Sequence, residues 1–305
     1  MGTAMASKLY RGALLTTAVL LFIGCGDART SSAPTTSSPT TSLPSTTASG
    51  TATTKPTPTT TPVATTVAPA PVERMVVATF FSRDGVLVAG SRAVAKNDIA
   101  RSAVAAVIEG PNLDEISARF ASAIPTGTTL RSVSIDQRKA TVDVSAAFTT
   151  GGGSLSMRLR VAQIVYTLAR LDAADSVRFL IDGKAVDSIG GEGFIVTNVK
   201  PAEFDDLLPA VLTEFPTPGA IVATGFAFKG LANVFEGTVN FELVDPANAV
   251  IAHGFATAMM GAWGQFQATV TFAARPAGPL TFVVYTVSPK DGARRDETHI
   301  AVRAA

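Results

Sequence analysis

The sequence predicts an α+β domain followed by an all-β sandwich, both carried behind a disordered N-terminal tether. Three observations predict this. Residues from about 28 to 71 are Ser, Thr, Pro and Ala with almost no large apolar side chain, too little to offset the entropy of ordering the chain. Between about 73 and 187, strand-like runs alternate with two helical apolar patterns. From about 205 onward the helical period disappears, and short strand-like runs divided by turn signals repeat to the end. The boundaries that follow are a signal peptide over 1–25, a linker over 26–72, a first domain over 73–190, a connector over 191–209 and a second domain over 210–305.

The N-terminal stretch Leu14–Cys25 reads LLTTAVLLFIGC, behind the basic Lys8 and Arg11. An apolar core this short cannot span the ~30 Å hydrocarbon of a bilayer as a helix, so it reads as a secretory signal. Phe22-Ile23-Gly24-Cys25, with Leu21 just upstream, resembles a bacterial lipobox, in which the Cys after Gly is lipidated and becomes the new N-terminus. The usual Leu is displaced by one position here, with Phe22 in its place; an ordinary signal peptide with an incidental cysteine is the other reading. The resemblance implies lipid attachment at Cys25, a membrane anchor and a protein facing the extracytoplasmic side of the cell envelope. The tether beyond it reads as a solvated spacer. Extended as polyproline II it reaches roughly 130 Å, and as a flexible coil about 40 Å. Its Ser and Thr residues are candidates for O-linked sugars.

Cys25 is the only cysteine, so neither an intramolecular disulfide nor a Cys-based zinc site is expected. Formal net charge is +1, with both signs mixed along the folded part, and the absence of a basic stripe argues against nucleic acid as a partner.

In the first folded segment, Met75–Phe81 is a β-favouring run, followed by the turn Arg83-Asp84-Gly85 and a second short strand, Val86–Val88. Asp98 is placed to cap a helix with Ile99, Ala103, Val104, Val107 and Ile108 on one face, stopped by Gly110-Pro111. A loop through Ile124-Pro125-Thr126-Gly127 leads to two alternating runs, Thr129–Ile135 and Ala140–Val144, about a turn at Gln137-Arg138. Ser154 is the expected cap of a second helix, with Leu155, Leu159, Ile164, Val165, Leu168 and Leu171 at helical spacing. Val177–Ile181 is a last strand, ended by Asp182-Gly183. The order predicts helices on one face of a sheet.

Glu109-Gly110-Pro111, Ser122-Ala123-Ile124-Pro125-Thr126-Gly127-Thr128, Ala140–Ser145 with Phe148, Gln163–Leu168 and Ile181-Asp182-Gly183 occur in that order. Together they resemble the GerMN domain of sporulation and spore-germination proteins. The resemblance implies a small non-enzymatic α/β domain, found also in envelope lipoproteins of bacteria that do not sporulate. The residues themselves read as structural: Gly110 and Pro111 end a helix, Asp143 and Ser145 cap backbone groups at a strand end, and Asp182-Gly183 makes a tight turn. Asp143 with Asp182 as a catalytic carboxylate pair is the competing reading.

The second segment presents about seven strand-like runs: Val211–Glu214, Ile221–Phe228, Gly237–Val244, Val250–Ala258, Phe266–Ala273, Leu280–Val287 and His299–Val302. Seven short strands in roughly a hundred residues predict an immunoglobulin-like β-sandwich. Phe215–Gly219, Lys229–Gly237, Trp263-Gly264-Gln265-Phe266 and Ser288–Gly292, in register behind the first domain, resemble the immunoglobulin-like domain of bacterial spore-germination proteins. Ala223-Thr224 departs from the Ser-Pro step common in that family.

A catalyst is not legible. Gly152-Gly153-Ser154-Leu155-Ser156 lacks a nucleophile elbow, Gly151–Gly153 has no following Gly-Lys-Ser/Thr, and Gly190-Gly191-Glu192-Gly193 reads as a flexible loop between domains. Asn233 and Glu236 together fall short of the six to eight oxygens calcium takes, so no metal and no cofactor are expected. Trp263 is weighed as core or lid packing against a sugar-stacking platform, and His253 and His299 as sheet-surface residues. The expectation is a non-enzymatic, lipid-anchored envelope protein presenting binding or scaffolding domains to a protein or to peptidoglycan, with a wall-modifying hydrolase as the alternative.

Overall fold

A hairpin opens the first domain. β1 (Arg74–Arg83) and β2 (Val86–Ala95) pair antiparallel along their whole length, and Asp84 and Gly85 turn the chain at φ 52° and 85°. Positive φ at both central positions matches the twist of the flanking strands. The computed structural model describes residues 73–191, 193–273 and 278–305; Cys25 with its signal sequence, the tether, Glu192 and the tip of the turn at Arg275-Pro276-Ala277 lie outside the described residues.

Asp98 caps α1 (Ile99–Glu109), its carboxylate accepting from the Arg101 amide at 3.3 Å. Gly110 ends the helix at φ 100°, a conformation that favours glycine. A short helix, α2 (Leu113–Ser117), follows where an irregular loop was expected. Asn112 and Glu115 cap it reciprocally at 2.9 and 2.8 Å. It delivers the buried Glu115 to Arg92 of β2, which grips both carboxylate oxygens at 2.6 and 2.7 Å.

β3 (Leu130–Asp136) and β4 (Lys139–Val144) pair antiparallel about Gln137-Arg138. α3 (Ser154–Arg170) then carries the chain across, so that β5 (Ser176–Ile181) lies parallel to β4, and β6 (Lys184–Ala185) folds back after Asp182-Gly183. The strands up to β6 make two ladders rather than one sheet, the β1–β2 hairpin and a four-stranded sheet in the order β3-β4-β5-β6. Phe80, Leu87, Val104, Val142, Phe148, Ile164, Leu168 and Phe179 close the core between them and the helices. Two helix details differ from expectation. Gly153 occupies the N-cap position and Ser154 is the first helical residue, while Leu155 is exposed because the first turn of α3 stands outside the core.

The expected connector is part of the first domain. β7 (Ser188–Ile189) and β8 (Phe194–Ile195) form a hairpin on either side of Gly190-Gly191, which therefore turns within the domain instead of linking two. Val199 pairs with Val177 of β5, and the 3-10 segment Pro201–Leu207 buries Phe204 and Leu207 in the same core. Arg158 of α3 fixes that segment by gripping Asp206 at 2.6 and 2.7 Å. The hydrogen bond from Arg158 holds the Asp206 carboxyl below its ordinary range.

The second domain comprises β9 (Val211–Phe215), β10 (Ile221–Val222), β11 (Phe226–Ala232), β12 (Thr238–Val244), β13 (Val250–Thr257), β14 (Gly264–Val270), β15 (Pro279–Val287) and β16 (Arg294–Ala304). They form an immunoglobulin-like sandwich of a five-stranded sheet, β10-β16-β15-β12-β13, and a three-stranded sheet, β14-β11-β9. The run expected as one strand over Ile221–Phe228 breaks at Gly225, φ 82°, where the chain leaves one sheet for the other. Thr224 secures that corner by donating to the Phe272 carbonyl at 3.0 Å. Phe228 sits at the centre of the core, with ring centroids 4.8, 5.0 and 5.4 Å from Phe266, Phe282 and Phe241.

β9 also meets the first domain. Leu212 lies in the first domain's core. The Glu214 carboxylate, buried, accepts from Arg170 at the end of α3 through Nε and through Nη2, the latter at 2.9 Å. Ser91 and Thr217 share a hydrogen bond of 2.8 Å, and Arg303 grips Asp114 of α2 at 2.6 and 3.1 Å. Removing one partner of a buried pair leaves the other charge uncompensated. Glu214→Ala is therefore expected to cost about 3 kcal/mol in chemical denaturation, whereas Asp114→Ala, in an exposed pair, should cost below about 1 kcal/mol.

Candidate functional site

The residues weighed for chemistry are placed one by one. Asp143 accepts from the Gly183 amide at 2.9 Å, and Ser145 from the Thr129 amide at 3.0 Å, the capping roles expected of them. Asp182 accepts from the Ala146 amide and from Arg131 Nε, both at 3.2 Å. Both carboxylates thus close the β4–β6 end of the sheet by accepting from backbone amides. His253 and His299 are exposed on one row of the five-stranded sheet, with Glu242 and Val283 between them in register. His299 instead meets Glu297 at 2.7 Å, and that contact lowers the Glu297 carboxyl. Trp263 is half-buried and packs against the first domain's core, so it is a packing residue. Asn233 and Glu236 stand in the β11–β12 loop, and no group of three or more metal-ligating side chains occurs among the described residues.

The surface that sequence reasoning missed is at this end of the sandwich. Val234 of the β11–β12 loop bridges to Met260 of the β13–β14 loop, and the Ala258 amide donates to the Gly237 carbonyl at 2.7 Å. Gly237 turns at φ 67°, and a Cβ there would stand 2.7 Å from the Ala258 carbonyl oxygen, so the approach of the two loops requires glycine. The junction leaves Phe235 76%, Met259 59% and Met260 73% exposed. Large apolar side chains held in water on neighbouring loops make this end of the sandwich a candidate interaction surface, and methionine adapts its shape to what it packs against.

Beside this apolar patch opens a cleft of about 600 Å³. Phe235 and Glu236 contribute from the β11–β12 loop, Asn240 from β12, and Arg295 and Asp296 from the start of β16. The register of β15 and β16 shifts between Val284 and Thr286, opposite Asp296 at φ 51°. A bulge re-aims the side chains of its strand, and here Thr286 donates to the Asp296 carboxylate at 2.7 Å. On the sheet face next to the cleft, Arg294 lies 4.0 Å over the Tyr285 ring and donates to Glu242 at 2.5 Å. That hydrogen bond raises the Arg294 guanidinium above its ordinary value, and burial raises the Tyr285 hydroxyl. Phe235 carried no signal of this role, because an aromatic residue between two strands reads as core.

Residues 77–187 match a family described as "Sporulation and spore germination", and residues 211–293 match one described as "Immunoglobulin-like domain of bacterial spore germination". Among solved structures, the chain is similar to the first GerMN domain of the sporulation protein GerM from Bacillus subtilis. Identity is 20% over 42% of this chain and 98% of that one, with a TM-score of 0.37. The tandem GerMN domains of the same protein match at 16% identity and TM-score 0.39, over 76% of this chain and 61% of that one. A Clostridium perfringens protein provisionally described as a lipoprotein matches at 19% identity and TM-score 0.33, over 47% of this chain and 98% of that one. No curated protein matches.

The two classes of residue separate in a stability measurement. Asp143→Ala leaves the Gly183 amide without its acceptor and is expected to cost about 1–3 kcal/mol. Phe235→Ala, in an exposed loop, should stay within about 0.5 kcal/mol of the parent.

Proposed function

We propose that this chain, which carries a GerMN-like domain followed by an immunoglobulin-like domain of the spore-germination type, is a non-enzymatic, lipid-anchored envelope protein that displays these domains for binding. The observation that carries this reading is the exposed surface of Phe235, Met259 and Met260 beside the cleft. Burying those three side chains in a partner removes apolar area from water at no cost to the fold. The carboxylates weighed for catalysis hold backbone amides instead, and neither domain family is known for an enzyme, so the hydrolase alternative has no observation in its favour. Among the described residues no helix is long and apolar enough to cross a membrane. The attachment proposed is through Cys25, with residues 26–72 spanning the distance from the membrane to the folded part.

On this reading Cys25→Ala releases the protein from the membrane fraction and leaves its circular dichroism and thermal unfolding unchanged. Fractionation of cells expressing the parent and the variant tests it. A variant as membrane-bound as the parent contradicts the anchor.

A further inference from the structure

We infer that the cleft beside Phe235 is a glycan-binding site, taking an uncharged sugar chain rich in hydroxyl and amide groups of the kind a wall polysaccharide presents. The inference rests on the proposed envelope role and names the ligand of its surface. Size sets the first condition. The cleft, about 600 Å³, falls within the roughly 300–1,000 Å³ of small-ligand sites.

Its lining sets the second. Sites for drug-like ligands are mostly apolar with a few polar groups; here Asn233, Glu236, Asn240, Arg295 and Asp296 surround a single aromatic ring. A pyranose has the complementary surface. Its axial C–H groups form an apolar face that packs on a ring such as Phe235, and its hydroxyls radiate in the ring plane as paired donors and acceptors. Planar amide, carboxylate and guanidinium groups meet adjacent hydroxyls two at a time.

The third condition is availability. Neither the Asn233 nor the Asn240 side chain is hydrogen-bonded to any described protein group. Arg295 makes one long contact, 3.7 Å to Asp291, and only Asp296 is committed, through Thr286 at 2.7 Å. Each amide therefore offers a donor and an acceptor to a ligand, while the bulge and the glycine-dependent loop hold the walls in place. Charge narrows the class further. Glu236 and Asp296 outnumber Arg295 within the cleft, which disfavours a polyanionic polymer and favours a neutral, amide-bearing sugar chain. A protein ligand would draw its affinity from the apolar Met259 and Met260 outside the cleft, and so would depend on different residues.

The test uses the full-length chain in detergent, titrated with the β-1,4-linked tetramer of N-acetylglucosamine and sedimented with purified peptidoglycan. Saturable binding to either probe is expected, weakened at least tenfold by Phe235→Ala and by Asn240→Ala, and unchanged by Leu113→Ala on the exposed face of α2. Unaltered thermal unfolding of the variants keeps misfolding from producing the result. Absence of saturable binding to both probes, binding that ignores Phe235 and Asn240, or binding lost only with Met260 overturns the assignment; the last outcome points to a protein partner. Membrane fractionation of Cys25→Ala is an independent readout, so failure of the sugar site and failure of the anchored-protein reading remain distinguishable.

Discussion

One strand belongs to two cores, and the arrangement of the folded part depends on it. In β9 successive side chains point to opposite faces, so Val211 enters the aromatic core of the sandwich while Leu212 enters the core of the α+β domain. Two residues on, Glu214 meets Arg170 at the end of α3. Rotating one domain against the other would expose Leu212 and break a buried ion pair at once. Uncovering a buried leucine costs about 2 kcal/mol, and leaving a buried charge without its partner about 3 kcal/mol. The peripheral contacts, Ser91 with Thr217 and Arg303 with Asp114, then set the orientation more than they stabilise it.

This constraint explains why the segment expected as a connector is structured. A strand shared by two cores cannot hang from a flexible link, and the chain from Val196 to Leu208 is accordingly packed into the first domain, with Phe204 and Leu207 buried and Asp206 held by Arg158. In the sequence this stretch scatters its apolar residues, Val196, Val199, Phe204, Leu207 and Leu208, among the acidic Glu203, Asp205 and Asp206. Nothing in its period marks it as core, because each of its side chains is buried by a different element rather than along one face.

Where local chemistry decides the conformation, the sequence was legible. Asp84-Gly85, Asp98, Gln137-Arg138 and Asp182-Gly183 occur as read, since positive φ and capping are set within three or four residues. Tertiary demands were not legible. The helix α2 exists to bring Glu115 to Arg92, and its apolar residues Leu113 and Ile116 face water, so it lacks the period that identifies a helix. The break at Gly225 follows from the strand changing sheets, which no local signal announces. The candidate site was hidden for a related reason. Asn233 and Glu236 read as an incomplete set of metal ligands, but their companions Arg295 and Asp296 come from a strand more than fifty residues further along the chain, and Phe235 passes for a core aromatic.

The folded part thus joins a domain rich in local turns to a sandwich whose exposed end carries the apolar patch and the polar cleft, fixed in relation to each other through β9. Shared packing of this kind couples the two domains in unfolding as well as in orientation. Scanning calorimetry of the full-length chain in detergent measures that coupling directly. The account predicts a single transition whose calorimetric and van't Hoff enthalpies agree; two resolved transitions, one for each domain, would contradict it.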